Sequence, residues 1–180
     1  MKNTILATIL AASFATSSFA AEDYSDEFSG HRIGIGWSKF DFENADYGSG
    51  LKLEYGYDLN KYVGFAVSIA FNDGDDAYQN LYADWEGTSL KFGADLGKAF
   101  ETENGFIKPY FALGLMSYSE DGRICSGSSC ISGSASETSI YYGFGLRGEV
   151  SNIYLDANIH FAELDGFDTD QLAFTVGYKF

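Results

Sequence analysis

Beyond its first twenty residues the chain has no apolar run of about 18 residues or more, which excludes a helical membrane protein. Proline is nearly absent, at one residue, and cysteine is limited to two. Basic residues are also scarce, with 11 Lys and Arg against 26 Asp and Glu and a net charge of −15. Nucleic acid is therefore an unsuitable partner, because phosphate binding needs clustered cations. No internal repeat, linker or break in composition marks a second domain. Cys125 and Cys130 lie in a Gly/Ser-rich segment with no companion Cys or clustered His to complete a metal site, and no nearby base to activate a thiol. In an exported protein such a pair is expected to form a disulfide.

What the chain has in quantity is aromatic residues, at 17%, and glycine, at 21 residues. A helical bundle would be weakened by so much glycine. Met1-Lys2 forms a short positive start, Ile5 to Phe14 is apolar or small, and Ser18-Phe19-Ala20 offers small residues around a cleavage point. Residues 1–20 are thus expected to be a cleaved secretory signal peptide, and residues 21–180 one mature domain. No cysteine follows the apolar stretch, so a lipid anchor is not expected.

Across the mature chain the dominant period is two. Apolar residues alternate in eight segments: Ile33, Ile35, Trp37; Leu51, Leu53, Tyr55, Tyr57; Val63, Phe65, Val67, Ile69, Phe71; and Leu90, Phe92, Ala94, Leu96. The second half continues with Ile107, Pro109, Phe111, Leu113, Leu115; Ile140, Tyr142, Phe144, Leu146, Gly148, Val150; Ile153, Leu155, Ala157, Ile159, Phe161; and Leu172, Phe174, Val176, Tyr178, Phe180. None of these positions is charged, as a lipid-facing surface requires. A soluble sandwich also alternates, but it has no use for the glycines that populate the opposite positions and weaken strands. Those glycines, beside a few long charged side chains, suit the narrow lumen of an eight-stranded antiparallel up-and-down transmembrane β-barrel. Phe40 and Phe42 fall out of phase with the first segment, which predicts a bulge or a strand leaving the membrane near Lys39.

Leu59 to Lys61, Lys98 to Asn104 and Ser151-Asn152 are short connections, alternating with longer stretches at 41–50, 72–87, 118–139 and 162–171. Short periplasmic turns and long extracellular loops are expected, with both termini periplasmic. The long stretches hold nearly all of the net charge, in Asp41, Glu43, Asp46, Asp84, Glu86, Glu120, Asp121, Glu137, Glu163, Asp165, Asp168, Asp170 and the Asp73-Gly74-Asp75-Asp76 run. Solvated loops explain this. Asp73, Asp75 and Asp76 also offer carboxylates that could bind Ca²⁺ or Mg²⁺, and Tyr78, Tyr82 and Trp85 could form a contact surface for a host or neighbouring-cell partner.

Inside, Lys52, Lys91, Lys108, Arg147 and Lys179 face Glu54, Asp58, Asp95, Glu149 and Asp156 in equal number. Matched charges in a lumen that side chains can fill read as an ion-pair plug rather than a conduit. For catalysis the one candidate is His160, inward with Asp156 one repeat below; no motif places a nucleophile beside it, and no catalytic residue or cofactor is expected. His31, before the first strand, needs no role.

The last strand, Gln171 to Phe180, resembles the C-terminal signature of bacterial outer-membrane barrels, with Phe174, Val176, Tyr178 and Phe180 at every second position. Ile107-Lys108-Pro109-Tyr110-Phe111-Ala112-Leu113-Gly114-Leu115 and Tyr141-Tyr142-Gly143-Phe144-Gly145-Leu146 resemble strands of the small OmpA/OmpX-like barrel family. The resemblance implies that fold, the outer membrane with its lipid and lipopolysaccharide, and insertion by the barrel assembly machinery. It does not extend to the peptidoglycan-binding domain of OmpA, which is not expected here, and it implies little about activity. The expected function is a non-enzymatic, monomeric surface barrel with a structural or adhesive role. A narrow ion channel comes second and an outer-leaflet lipid-modifying enzyme third.

Overall fold

A computed structural model describes residues 28–180 except 43, 44, 79, 80 and 128; the expected signal peptide lies outside them. Nine strands follow one another and no helix occurs among the described residues. They are β1 (Gly30–Phe42), β2 (Ala45–Asp58), β3 (Val63–Tyr78), β4 (Leu81–Gly97), β5 (Phe100–Thr102), β6 (Gly105–Ser126), β7 (Ser129–Val150), β8 (Ile153–Leu164) and β9 (Phe167–Lys179). β5 is a three-residue spur on β6. The other eight pair antiparallel with their chain neighbours, and β1 pairs with β9, so the sheet closes. Closure gives every strand two partners, the condition for crossing lipid, where an unpaired backbone group costs several kcal/mol.

Packing is inverted relative to a soluble protein. Leu155 is 63% exposed and Phe92 58%, while Arg32 and Lys108 are 0% and 2% exposed. All eight alternating sets point outward. Phe174, Val176, Tyr178 and Phe180 lie on this outer face of the closing strand, and the Phe180 backbone exchanges two hydrogen bonds with His31. The His31 ring also faces out, donating to or accepting from the Tyr55 hydroxyl at 2.7 Å and packing on Tyr57 and Phe180. It belongs to an aromatic girdle at the barrel end that carries both described termini.

The four long connections expected as loops are strands instead. β3 pairs β4 out to Tyr78↔Leu81, β6 pairs β7 out to Ser126↔Ser129, and β4 pairs β6 along its whole length. β8 and β9 turn tightly at Asp165-Gly166, both at positive φ (52° and 82°), the backbone that a two-residue hairpin of matching twist needs. Strand pairing in water needs no apolar face, so Ser-, Gly- and Asp-rich sequence continues the ladder where the apolar period stops. Phe40 is buried and inward, in phase, so β1 leaves the apolar band near Lys39. The β1–β2 register also shifts between Lys39 and Asp41. The extra residue is on β2, near Gly48 (φ 103°).

Cys125 and Cys130 are directly opposed on β6 and β7 and form the expected disulfide. Far from the closed barrel, it fastens a hairpin tip, and so small a loop contributes about 2 kcal/mol in the chain-entropy picture. Reduction, or Cys125→Ser with Cys130→Ser, should raise amide exchange around the tip and leave the unfolding midpoint of the barrel unchanged. A lowered midpoint would show that the tip and barrel unfold together.

Candidate functional site

The lumen has two storeys. At the end carrying the termini, two guanidinium groups hold a carboxylate cluster. Arg147 donates to Asp156 (3.0 Å), Asp95 (2.7 Å) and Asp58 (3.3 Å), and Arg32 to Asp58 (2.7 Å) and Asp95 (3.3 Å). Lys52 donates to Glu54 at 2.7 Å, Lys179 pairs with Glu149 at 3.4 Å, and Lys108 stands 3.7 Å from Asp58. Asp156 also accepts from the Tyr110 hydroxyl (2.8 Å) and Asn158 (2.7 Å). Planar guanidinium forks can serve several carboxylates at once, which lets this many charges stay buried together.

Of the expected ion-pair residues, Lys52, Glu54, Asp95, Lys108, Arg147 and Asp156 are brought together, Glu149 pairs apart from them with Lys179, and Lys91 is the departure. Its ammonium meets the His160 Nδ1 at 3.1 Å and lies over the Tyr141 ring, with no carboxylate in salt-bridge range among the described residues. Arg32 went unrecognised although it lies one step before Ile33; running the alternation back from Ile33 would have found it. With Arg32 added to the ten inward charges named above, that set holds six cations against five carboxylates.

Glycine explains how large groups fit. A Cβ at Gly145 would strike the Tyr110 ring, at Gly93 the Tyr141 hydroxyl, at Gly34 the Tyr154 hydroxyl and at Gly56 the Arg32 guanidinium. Each of these four side chains lies against a glycine of another strand, adjacent for Tyr110 and Arg32 and two strands away for Tyr141 and Tyr154.

The second storey is apolar. Phe40 stacks on Tyr118 (centroids 4.7 Å apart, 5° between planes), and Met116, Tyr141, Ala162 and Leu164 join the same buried cluster. Above it Tyr47 stacks on Trp85, accepts the Trp85 indole N–H at its carbonyl (2.9 Å), and donates its hydroxyl to Glu120 (2.9 Å). Burial first, then Glu120, pushes the Tyr47 hydroxyl up to about 12. A space of about 20 Å³ beside Asn158 and His160 has room for roughly one water. In planar bilayers the purified protein should therefore show at most rare, small openings. Large steady conductance would put the channel reading first.

His160 does not form a dyad with Asp156, whose oxygens are taken by Arg147, Tyr110 and Asn158. Nδ1 of the ring hydrogen-bonds with the Lys91 Nζ, and Nε2 is buried without a partner among the described residues. This geometry offers a base no nucleophile. The three candidate cation ligands do not share a face: strand alternation puts Asp73 and Asp75 on the outer face of β3 and Asp76 on the other, and among the described residues there is no group of three or more His, Cys, Asp or Glu that could hold a metal ion. Of the aromatic trio, Tyr82 is exposed and Trp85 is turned inward against Tyr47; the side chain of Tyr78 is outside the described residues.

An apolar exterior around a charged, filled lumen defines a transmembrane β-barrel. The chain belongs to the outer membrane protein beta-barrel domain family, whose profile matches residues 6–180, and it is an outer-membrane barrel of the small OmpA-like kind. Among solved structures it is similar to Ail, the attachment invasion locus protein of Yersinia pestis (24% identity, TM-score 0.62, 84% of this chain and 99% of that one). Neisserial surface protein A follows at 20% identity and TM-score 0.57, over 84% and 97%. The N-terminal barrel of Pseudomonas aeruginosa OprF is at 16% and 0.51, over 84% and 99%. These likenesses establish the fold. No curated protein matches.

Proposed function

We propose that this is a non-enzymatic cell-surface barrel whose protruding sheet makes contact with a host or neighbouring cell. The observation that carries the reading is the continuation of β3, β4, β6 and β7 beyond the apolar band. On β6 this runs from Ser117 to Ser126, about 30 Å at 3.3 Å per residue. It stands as a fixed four-stranded sheet stapled at its tip. β8 pairs β7 only as far as Tyr141, so Ser129 to Ile140 of β7 forms an open edge. A mobile loop would lose much conformational entropy on binding, and a preformed sheet avoids that cost.

In this reading the short-turn end with both termini is periplasmic, the sheet rises from the lipopolysaccharide leaflet, the Phe180-terminated strand is read by the barrel assembly machinery, and the barrel is monomeric. The name of Ail as an attachment protein agrees with an adhesive role. The test is a deletion strain complemented either with the full chain or with a form in which residues 121–134 are replaced by a tight turn, which keeps Tyr118 and Glu120. Both should give SDS-resistant barrels and a normal permeability barrier, and only the full chain should restore surface attachment. Equal attachment, with leakiness of the deletion strain cured by either form, would favour a purely structural role.

A further inference from the structure

Polarity inverts where the sheet leaves the apolar band. Below, the outer face is apolar and the inner face charged. Above, the inner face carries Leu81, Ala83, Ile124 and Ile131, with Leu81 49% exposed, Ile124 58% and Ile131 79%. Ile124 and Ile131 are direct cross-strand partners, and the row continues through Ala83 to Asp76. Apolar side chains standing side by side in water, facing the barrel axis rather than lipid, mark a contact surface.

The charge around them is almost all negative, with Arg123 opposite Asp84 as the exception. On the outer face Asp73 opposes Glu86, Asp75 opposes Asp84, and Glu86 opposes Asp121. Like charges directly opposed in a ladder destabilise it. Arg123 is the single cation in residues 72–87 and 117–139. On the inner face Asp76 is exposed and ends the row that Ile131, Ile124 and Ala83 form.

We propose that the inner face of this sheet docks a cationic, amphipathic polypeptide, its apolar side chains on Ile124 and Ile131, a Lys or Arg group toward Asp76 in the same row, and its net positive charge drawn by the field of the carboxylates on the opposite face. This rests on the surface-contact reading above and names the partner's chemistry. Both halves of the surface are needed: apolar contact alone would accept any exposed hydrophobic, and charge alone any polycation. A second copy is disfavoured by the −15 charge on each chain. A polyanion is disfavoured for the same reason, in contrast to Ail, which has been solved with the heparin analogue sucrose octasulfate.

The test uses the full mature barrel in nanodiscs of zwitterionic lipid, with empty discs as the baseline. The probes are a Leu/Lys amphipathic peptide, polylysine of equal charge, a Leu/Glu amphipathic peptide and heparin. Saturable binding above baseline is expected for the Leu/Lys peptide alone. Ile124→Ser with Ile131→Ser, both at exposed positions, should weaken it at least tenfold while SDS resistance is unchanged, and Asp73→Asn, Asp75→Asn, Asp84→Asn and Glu86→Gln together should flatten its salt dependence. Equal binding of polylysine, indifference to the isoleucine changes, or binding of heparin or the Leu/Glu peptide would each overturn the proposal. If the truncated form fails to restore attachment yet the Leu/Lys peptide does not bind, the contact reading stands and this inference falls. If the peptide binds as expected and truncation leaves attachment intact, the contact reading falls instead.

Discussion

Replacing Arg147 with methionine is expected to cost the barrel about 3–5 kcal/mol of unfolding free energy, the range for removing one partner of a buried ion pair. Arg147 is 2% exposed and donates to Asp156, Asp95 and Asp58. Methionine keeps much of the volume and removes the charge, so the loss is electrostatic: Asp156 keeps only its neutral donors, Tyr110 and Asn158. Arg32→Met should cost less, because Asp58 and Asp95 retain Arg147. Urea unfolding of the folded protein in lipid vesicles measures both. Adding Asp156→Asn to Arg147→Met should recover part of the loss, since the stranded charge is then gone. A cost below about 1 kcal/mol for Arg147→Met would mean that water reaches the cluster and screens it.

The second large effect is expected from Gly145→Val. A Cβ there would occupy the space of the Tyr110 ring, whose hydroxyl donates to Asp156 and whose face lies 5.0 Å from the Arg147 guanidinium carbon. Overfilling a packed interior costs about 1–3 kcal/mol, and displacing Tyr110 removes a hydrogen bond as well, so the variant should fold in poor yield or with a sharply lowered midpoint. Tyr110→Leu alone should be milder. The double variant should be more stable than the sum of the two losses predicts, by roughly 1 kcal/mol or more. Simple addition would show that the introduced valine clashes with backbone instead of with the ring. Gly148 has nothing within 4 Å of a built Cβ and serves as a neutral control: Gly148→Val should fold normally.

The residues that escaped the sequence reading share a cause. Period two identifies a strand by contrast between its faces, and that contrast exists only where one face meets lipid. Ser129 to Ser136 alternate between nothing that period two could register, yet they are β7, because β6 beside them already supplies a register for backbone pairing. Phe40 looked out of phase because an inward aromatic breaks a rule that assigns aromatics to the outside. Its ring has a reason to be inside: Tyr118 and Leu164 roof the lumen there. Arg32 escaped because it precedes the first apolar residue of its strand. Lys91 was assigned to an ion pair by its charge, and sequence cannot say that the group opposite is a histidine from β8, 69 residues away.

By itself the sequence determined the compositional class, the strand count, the face of each membrane-crossing strand and the pairing of the two cysteines. These follow from rules local to a strand or a turn: side chains alternate, lipid excludes charge, and two nearby cysteines on an exported chain meet. Only the tertiary structure decided which lumen charges touch, that the lumen is sealed by an aromatic storey above the ionic one, and that the acidic stretches stand as a sheet with an inverted polarity. Those outcomes depend on the shear of a closed barrel, which sets the heights at which side chains from opposite strands meet. That offset is a property of all eight strands together, and no single segment encodes it.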